Sequence, residues 1–319
     1  MQKYLIHIGL SKCASTFLQK KVFPQLGNYS DIAFSPTQDK YYLFRNDMDP
    51  DIYREIVSKN IINPDQNKKW LIISCEDYTE FLFHGFEDVF FNWEAVEKNI
   101  HVHSNKIITE NIARTYPRAK IMIIIREQLS WAVSRYKMNY RGGKTSASID
   151  ELMADPLEGY DVMVNRYQKY FGKENVLVLP YELLQKDQNA FLKKITDFIE
   201  HDVKLNISST RINTAPELKR TVEYERKKNY FRLKINLRKN LSPAARFSFK
   251  FLGRLFIGIC KPLFYLKYRG KRYSIQPNKS TVEKLKPLFI NSNNRLQELV
   301  NIDLSEYGYL FEKPDTNQQ

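Results

Sequence analysis

Short unbroken apolar runs alternate with longer amphipathic stretches along residues 3–200, and the two patterns occupy different parts of the chain. The runs Tyr4–Ile8, Trp70–Ser74, Lys120–Ile125 and Asn175–Leu179 have strand length, and the third reads Lys-Ile-Met-Ile-Ile-Ile with no polar alternation. Continuous β-branched apolar character of that kind marks a strand covered on both faces. The stretches Ser15–Phe23, Ser104–Tyr116, Leu129–Asn139, Tyr160–Tyr170 and Gln188–Glu200 repeat their apolar positions at helical spacing. Strand and helix in turn predict an α/β fold, a central parallel sheet flanked by helices, with ligands received beyond the carboxyl ends of the strands. Val282–Val300 reads as a C-terminal amphipathic helix, Gly308 as a turn in the tail, and no internal repeat appears.

Charge changes the picture at one place. The formal net charge of +14 is carried entirely by residues 217–273, where seventeen Lys or Arg stand against three acids; the other 262 residues sum to zero. The predicted organisation is therefore one domain over residues 1–319, with a basic, aromatic-rich helical insertion at 217–273. Its apolar part, Arg254–Leu266, is too short and too interrupted to span a bilayer. Two readings stay open: a helix packed on the core with its basic side in water, or a surface helix contacting anionic lipid. No zinc-finger, RNA-recognition or basic-zipper pattern surrounds the segment, so specific nucleic-acid binding is not expected. The chain opens on a strand without a leader of signal-peptide form, and the expectation is a cytoplasmic protein. Cys13, Cys75 and Cys260 form no paired motif and have no histidine cluster beside them, which argues against disulfides and metal.

The candidate chemistry begins at His7–Gln19, which runs from a strand through a small polar turn into a helix, with Lys12 inside the turn. Backbone N–H groups at a helix start, joined by the hydroxyls of Ser15 and Thr16, favour an anion. Lys12 precedes Ser15 by three residues, whereas the ATP loop places its lysine directly before Ser or Thr. A second anchor follows the third strand: Arg126 leaves it, and Ser134 comes eight residues later on the next helix. A guanidinium and a hydroxyl in those places clasp one phosphate from two sides.

Lys12, Cys13, Ser15 and Thr16 resemble the 5′-phosphosulfate loop of sulfotransferases that use 3′-phosphoadenosine 5′-phosphosulfate (PAPS). Ala14 stands where that family usually has glycine. Arg126, Ser134 and Tyr136 resemble the same family's 3′-phosphate element, although Gln128 replaces a frequent proline. Weaker likeness extends to Tyr181-Glu182-Leu183-Leu184, and to Gly270-Lys271-Arg272-Tyr273 ahead of the last helix, which is similar to the late loop of heparan-sulfate-type members. The resemblance covers roughly residues 3–200 and 268–310. It implies a P-loop-like sulfotransferase fold and PAPS as cosubstrate without a metal. It implies cosubstrate binding by Ser11, Lys12, Cys13, Ala14, Ser15, Thr16, Arg126, Ser134, Gly270, Lys271 and Arg272, and a saccharide acceptor. It also suggests a bacterial enzyme, peripheral at the cytoplasmic face of the inner membrane.

Two catalytic roles follow. Lys12 would stabilise charge on the leaving oxygen as the sulfuryl group moves in line. Glu76, after the second strand, matches a Ser-x-Glu motif of related bacterial sequences together with Ser74 and is the first choice for the base; His84, His101, His103 and Glu94 are its rivals. Arg141 and Lys144 belong either to a solvated loop or to an acidic acceptor's site, with Gly142 or Gly143 as the left-handed helix cap. The competing functions are a small-molecule kinase using ATP and Mg²⁺, and a non-catalytic polyanion- or membrane-binding protein.

Overall fold

The four apolar runs become strands of one sheet. The computed structural model describes residues 2–30, 32, 42–78, 104–154, 156, 158–201, 205–207, 218–237 and 242–312. β1 (Lys3–His7) leads into a broken helix, α1 (Ser15–Phe17), a π-turn (Leu18–Val22) and α2 (Phe23–Leu26). Then come β2 (Asn28–Ser30), α3 (Pro50–Lys59), β3 (Ile61–Ile62), β4 (Trp70–Ser74), α4 (Ser104–Thr115), β5 (Lys120–Ile125), α5 (Gln128–Arg141), α6 (Ile149–Leu152) and α7 (Tyr160–Phe171). β6 (Val176–Pro180), α8 (Tyr181–Lys186), α9 (Gln188–Phe198), α10 (Lys219–Leu237), α11 (Pro243–Lys267) and α12 (Lys279–Leu299) complete the order.

The sheet runs β3-β2-β4-β1-β5-β6. All its pairings are parallel except β2 with the two-residue edge strand β3. Pairing Leu5 with both Ile72 and Lys120 puts β1 in the middle, and β4 and β5 are buried almost throughout. That burial on both faces is why their sequences lack polar alternation. The π-turn has a local cause. Pro24 has no N–H to give and crowds the carbonyl behind it, so the ladder shifts and Phe23 N–H reaches back to Leu18.

The basic segment forms α10 and α11, which pack on one another, while α10 also packs on α5. Gly143, at the end of α5, has φ +70°, and a Cβ there would lie 2.6 Å from the Tyr230 backbone nitrogen of α10. Gly142, by contrast, is right-handed, so the left-handed residue after α5 is Gly143. α12 docks on α7 through Asp161, which accepts from Ser292 and pairs with Arg295. Among the described residues no helix is long and apolar enough to cross a membrane.

Candidate active site

β1 keeps pairing beyond its formal end, since Leu10 N–H donates to the Ile124 carbonyl at 3.0 Å and Ile124 N–H to Gly9 at 3.0 Å. Cys75 N–H donates to the His7 carbonyl at 3.0 Å, which fixes the exit of β4 beside the exit of β1. The turn after β1 is then held by its carbonyls. Ser15 Oγ donates to Leu10 (3.3 Å), Trp131 Nε1 to Ser11 (2.8 Å) and Arg126 Nη1 to Lys12 (3.3 Å). Arg135 adds a bond to Ser11 Oγ at 3.3 Å. With those oxygens engaged, the first-turn amides of Ser15, Thr16 and Phe17 have no acceptor inside the helix. Lys12 and Ala14 both adopt left-handed backbone, φ 68° and 65°.

Lys12 is half-buried, and burial holds its amine below the usual lysine range; Glu76 pulls it back up, while Arg126, Arg135 and Arg141 push it further down. Arg126 and Arg135 also bond the turn that carries Lys12, so with Glu76 they stand at the carboxyl ends of β1, β4 and β5. Among the groups that act on Lys12 the cations outnumber the carboxylate, although Arg141 is itself paired with Glu225, and an anionic group would neutralise the excess. Arg126 lies over the Tyr181 ring at 4.8 Å, and its Nε is buried without a hydrogen-bond partner, a donor left over for a ligand. These features fit a ligand bearing phosphate or sulfate.

The structure brings Lys12, Glu76 and Arg126 together with Ser11 and Ser15 of the turn. The Cys13 side chain is fully buried and burial drives its thiol pKa up, so at the turn Cys13 offers its backbone alone. Ser134 stands on α5 one position before Arg135, half-buried, and no hydrogen bond ties it to the turn among the described residues. Tyr136 donates its hydroxyl to the Ala147 carbonyl at 3.0 Å and stacks on Tyr140, a packing role. Gly270, Lys271 and Arg272 are exposed, and Lys271 and Arg272 pair their backbones with Lys219 and Leu218 at the start of α10. No hydrogen bond or ion pair joins these three to Lys12 or Arg126 among the described residues. Tyr273 next to them stacks on Tyr140, which brings this loop to the far end of α5. His84, Glu94, His101 and His103 lie outside the described residues. Arg141 is tied to α10 by an ion pair to Glu225 at 3.2 Å.

Sequence reasoning missed the support behind Arg126. Tyr160 Oη donates to the Arg126 carbonyl at 2.7 Å, and Glu127 caps α5 by accepting from Leu129 and Ser130. Glu182 accepts from Glu127 N–H at 3.1 Å, and burial foremost raises its carboxyl pKa. It also missed Trp131 and Arg135, one helical turn apart on the face of α5 that meets the turn; that i, i+4 spacing was the available signal.

A model described as the sulfotransferase family matches residues 35–204, more than half of the chain. That stretch carries Glu76, Arg126 and the Tyr181-Glu182 pair. Among solved structures, a sulfotransferase from Alicyclobacillus acidocaldarius is 15% identical and covers 97% of this chain and 99% of its own, with a TM-score of 0.54, a likeness of fold. A mouse sulfotransferase complexed with PAP is 19% identical over 64% of this chain and 60% of its own, at a TM-score of 0.37. No curated protein gives a significant match. On the family match, and with the central sheet and helices that the resemblance implied, the chain belongs to the sulfotransferase family.

Proposed function

We propose that the chain transfers the sulfuryl group of PAPS to a hydroxyl of a saccharide, as part of a glycan, glycolipid or polysaccharide precursor. The observation that supports this reading is the grouping of Lys12, Arg126 and Arg135 at the turn after β1, cationic surroundings of the kind that a doubly phosphorylated nucleotide requires. PAPS supplies an activated sulfuryl group on a 5′-phosphate leaving group. Lys12, aided by the free amides of Ser15 and Thr16, stabilises charge growing on that leaving oxygen. Arg126, with its unpaired Nε and with Ser134 on the following helix, holds the 3′-phosphate. Glu76 takes the proton from the acceptor hydroxyl. A part for Gly270, Lys271 and Arg272 in binding the cosubstrate is supported by the likeness of their loop to the family's late loop. The saccharide class rests on the likeness of the 270–273 loop and last helix to heparan-sulfate-type sequences. The reaction belongs to the cytoplasmic side of a bacterial inner membrane, where a lipid-linked acceptor and the nucleotide meet.

The test is calorimetry with PAP and with ATP, on the wild type and on Arg126→Ala, with and without Mg²⁺. The expected result is metal-independent binding of PAP that the substitution weakens by about 10²-fold or more. ATP bound as tightly as PAP would overturn the reading in favour of a kinase.

A further inference from the structure

The face of α11 turned away from α10 has no part in that chemistry. Along it, Leu252, Leu255, Ile259, Leu263 and Leu266 recur every three or four residues, and they are 48% to 75% exposed, Ile259 the most. A soluble surface usually scatters such side chains singly; a continuous row marks an interaction site. The opposite face is already engaged, since Lys261 lies over the rings of Tyr224 and Tyr265 at 5.6 Å and Arg220 over Tyr265 at 4.9 Å. Contact with α10 therefore fixes how the helix is rotated, and it leaves the leucine row outward.

The charge around the row is one-sided. α11 contains no acidic residue, Lys267 and Arg269 are exposed at its carboxyl end, and Lys227 and Lys228 are exposed on α10. The two acids of α10 face inward: Glu223 is buried and accepts from Tyr140 Oη at 2.7 Å, and Glu225 pairs with Arg141. A partner must then be apolar in its interior and anionic at its surface. A second copy of this chain would cover the leucines but would also press two cationic surfaces together.

We propose that this face of α11 docks on an anionic phospholipid bilayer, the helix lying in the interface with the leucine row at the acyl boundary and the flanking cations at the phosphates. The proposal deepens the reading of an enzyme working on a lipid-linked acceptor, by naming the surface that meets the membrane. α10 joins that surface to the end of α5, because Arg141 is held by Glu225.

Flotation of the full chain with phosphatidylcholine vesicles, with and without about 30% phosphatidylglycerol, tests it. The protein should float with the anionic vesicles and not with the neutral ones, and added salt should weaken the association. The double substitution Ile259→Asp and Leu263→Asp should reduce the bound fraction by about tenfold or more. Both positions are exposed, so PAP binding and circular dichroism should be unchanged in the variant. Failure of the wild type to float, or equal flotation of the variant, would overturn the proposal. So would a solution dimer that the variant dissociates without any vesicle binding, which would assign the row to a second copy. Vesicle binding by a chain that does not bind PAP would leave the docking face standing and remove the proposed function.

Discussion

Ala14 is the residue at which sequence and geometry agree most closely. Its φ of 65° belongs to the region that glycine occupies without penalty, and glycine is what the related loops carry there. An alanine in left-handed backbone costs ~1–2 kcal/mol, partly offset by the greater freedom that glycine has in the unfolded chain. Ala14→Gly should accordingly raise stability by about 0.5–1 kcal/mol in urea unfolding; a lower midpoint would mean that the methyl group contributes packing. Lys12 shares the left-handed backbone, and the proposed function gives it a chemical role. Lys12→Met should slow turnover about 10²–10³-fold, some 3–4 kcal/mol, and Glu76→Gln should abolish turnover while PAP still binds. Full turnover in either variant would withdraw that residue from the mechanism. At this scale the lysine and arginine were legible because each stands at the end of a recognisable strand. Arg135 and Trp131 were not, since their partner is a turn more than a hundred residues earlier that only the sheet topology brings near.

Elements with a strong period were legible, and those without one were not. β1, β4, β5 and β6 lie within a residue of their predicted bounds at most ends. β2 and β3 have three and two residues, too few to show alternation, and they exist because β4 offers them an edge. At the carboxyl end of β1, His7 is completely buried, with Nδ1 2.8 Å from Ser74 Oγ of β4, while Gln19 donates to the same hydroxyl at 3.1 Å. Burial lowers the His7 pKa from 6.5 to about 3. Between those values the unfolded chain takes up a proton that the folded protein refuses, so stability falls as pH drops through that window. From pH ~7 to ~5 the loss due to His7 should be on the order of 2 kcal/mol. Denaturant unfolding of His7→Asn at the two pH values should show that share of the loss removed; an undiminished loss would mean that other groups carry the acid sensitivity.

At the scale of the molecule, the concentration of all net charge in residues 217–273 was plain from the sequence, and its disposition was not. Composition alone does not reveal that α10 turns its two acids and Arg226 toward α5 and leaves Lys227 and Lys228 exposed, because that depends on Tyr140, Arg141 and Gly143 meeting one side of a helix. The sheet order has a further effect, on the timing of assembly. β1 is made before β4 and β5 yet sits between them, so the turn carrying Lys12 lacks its β5 partner until Lys120–Ile125 has been synthesised and has paired beside it. Such long-range closure is slow and comes late on the folding path. A bound nucleotide would therefore have nothing to grip in the nascent chain, and it would lengthen the lifetime of the finished protein without hastening its formation.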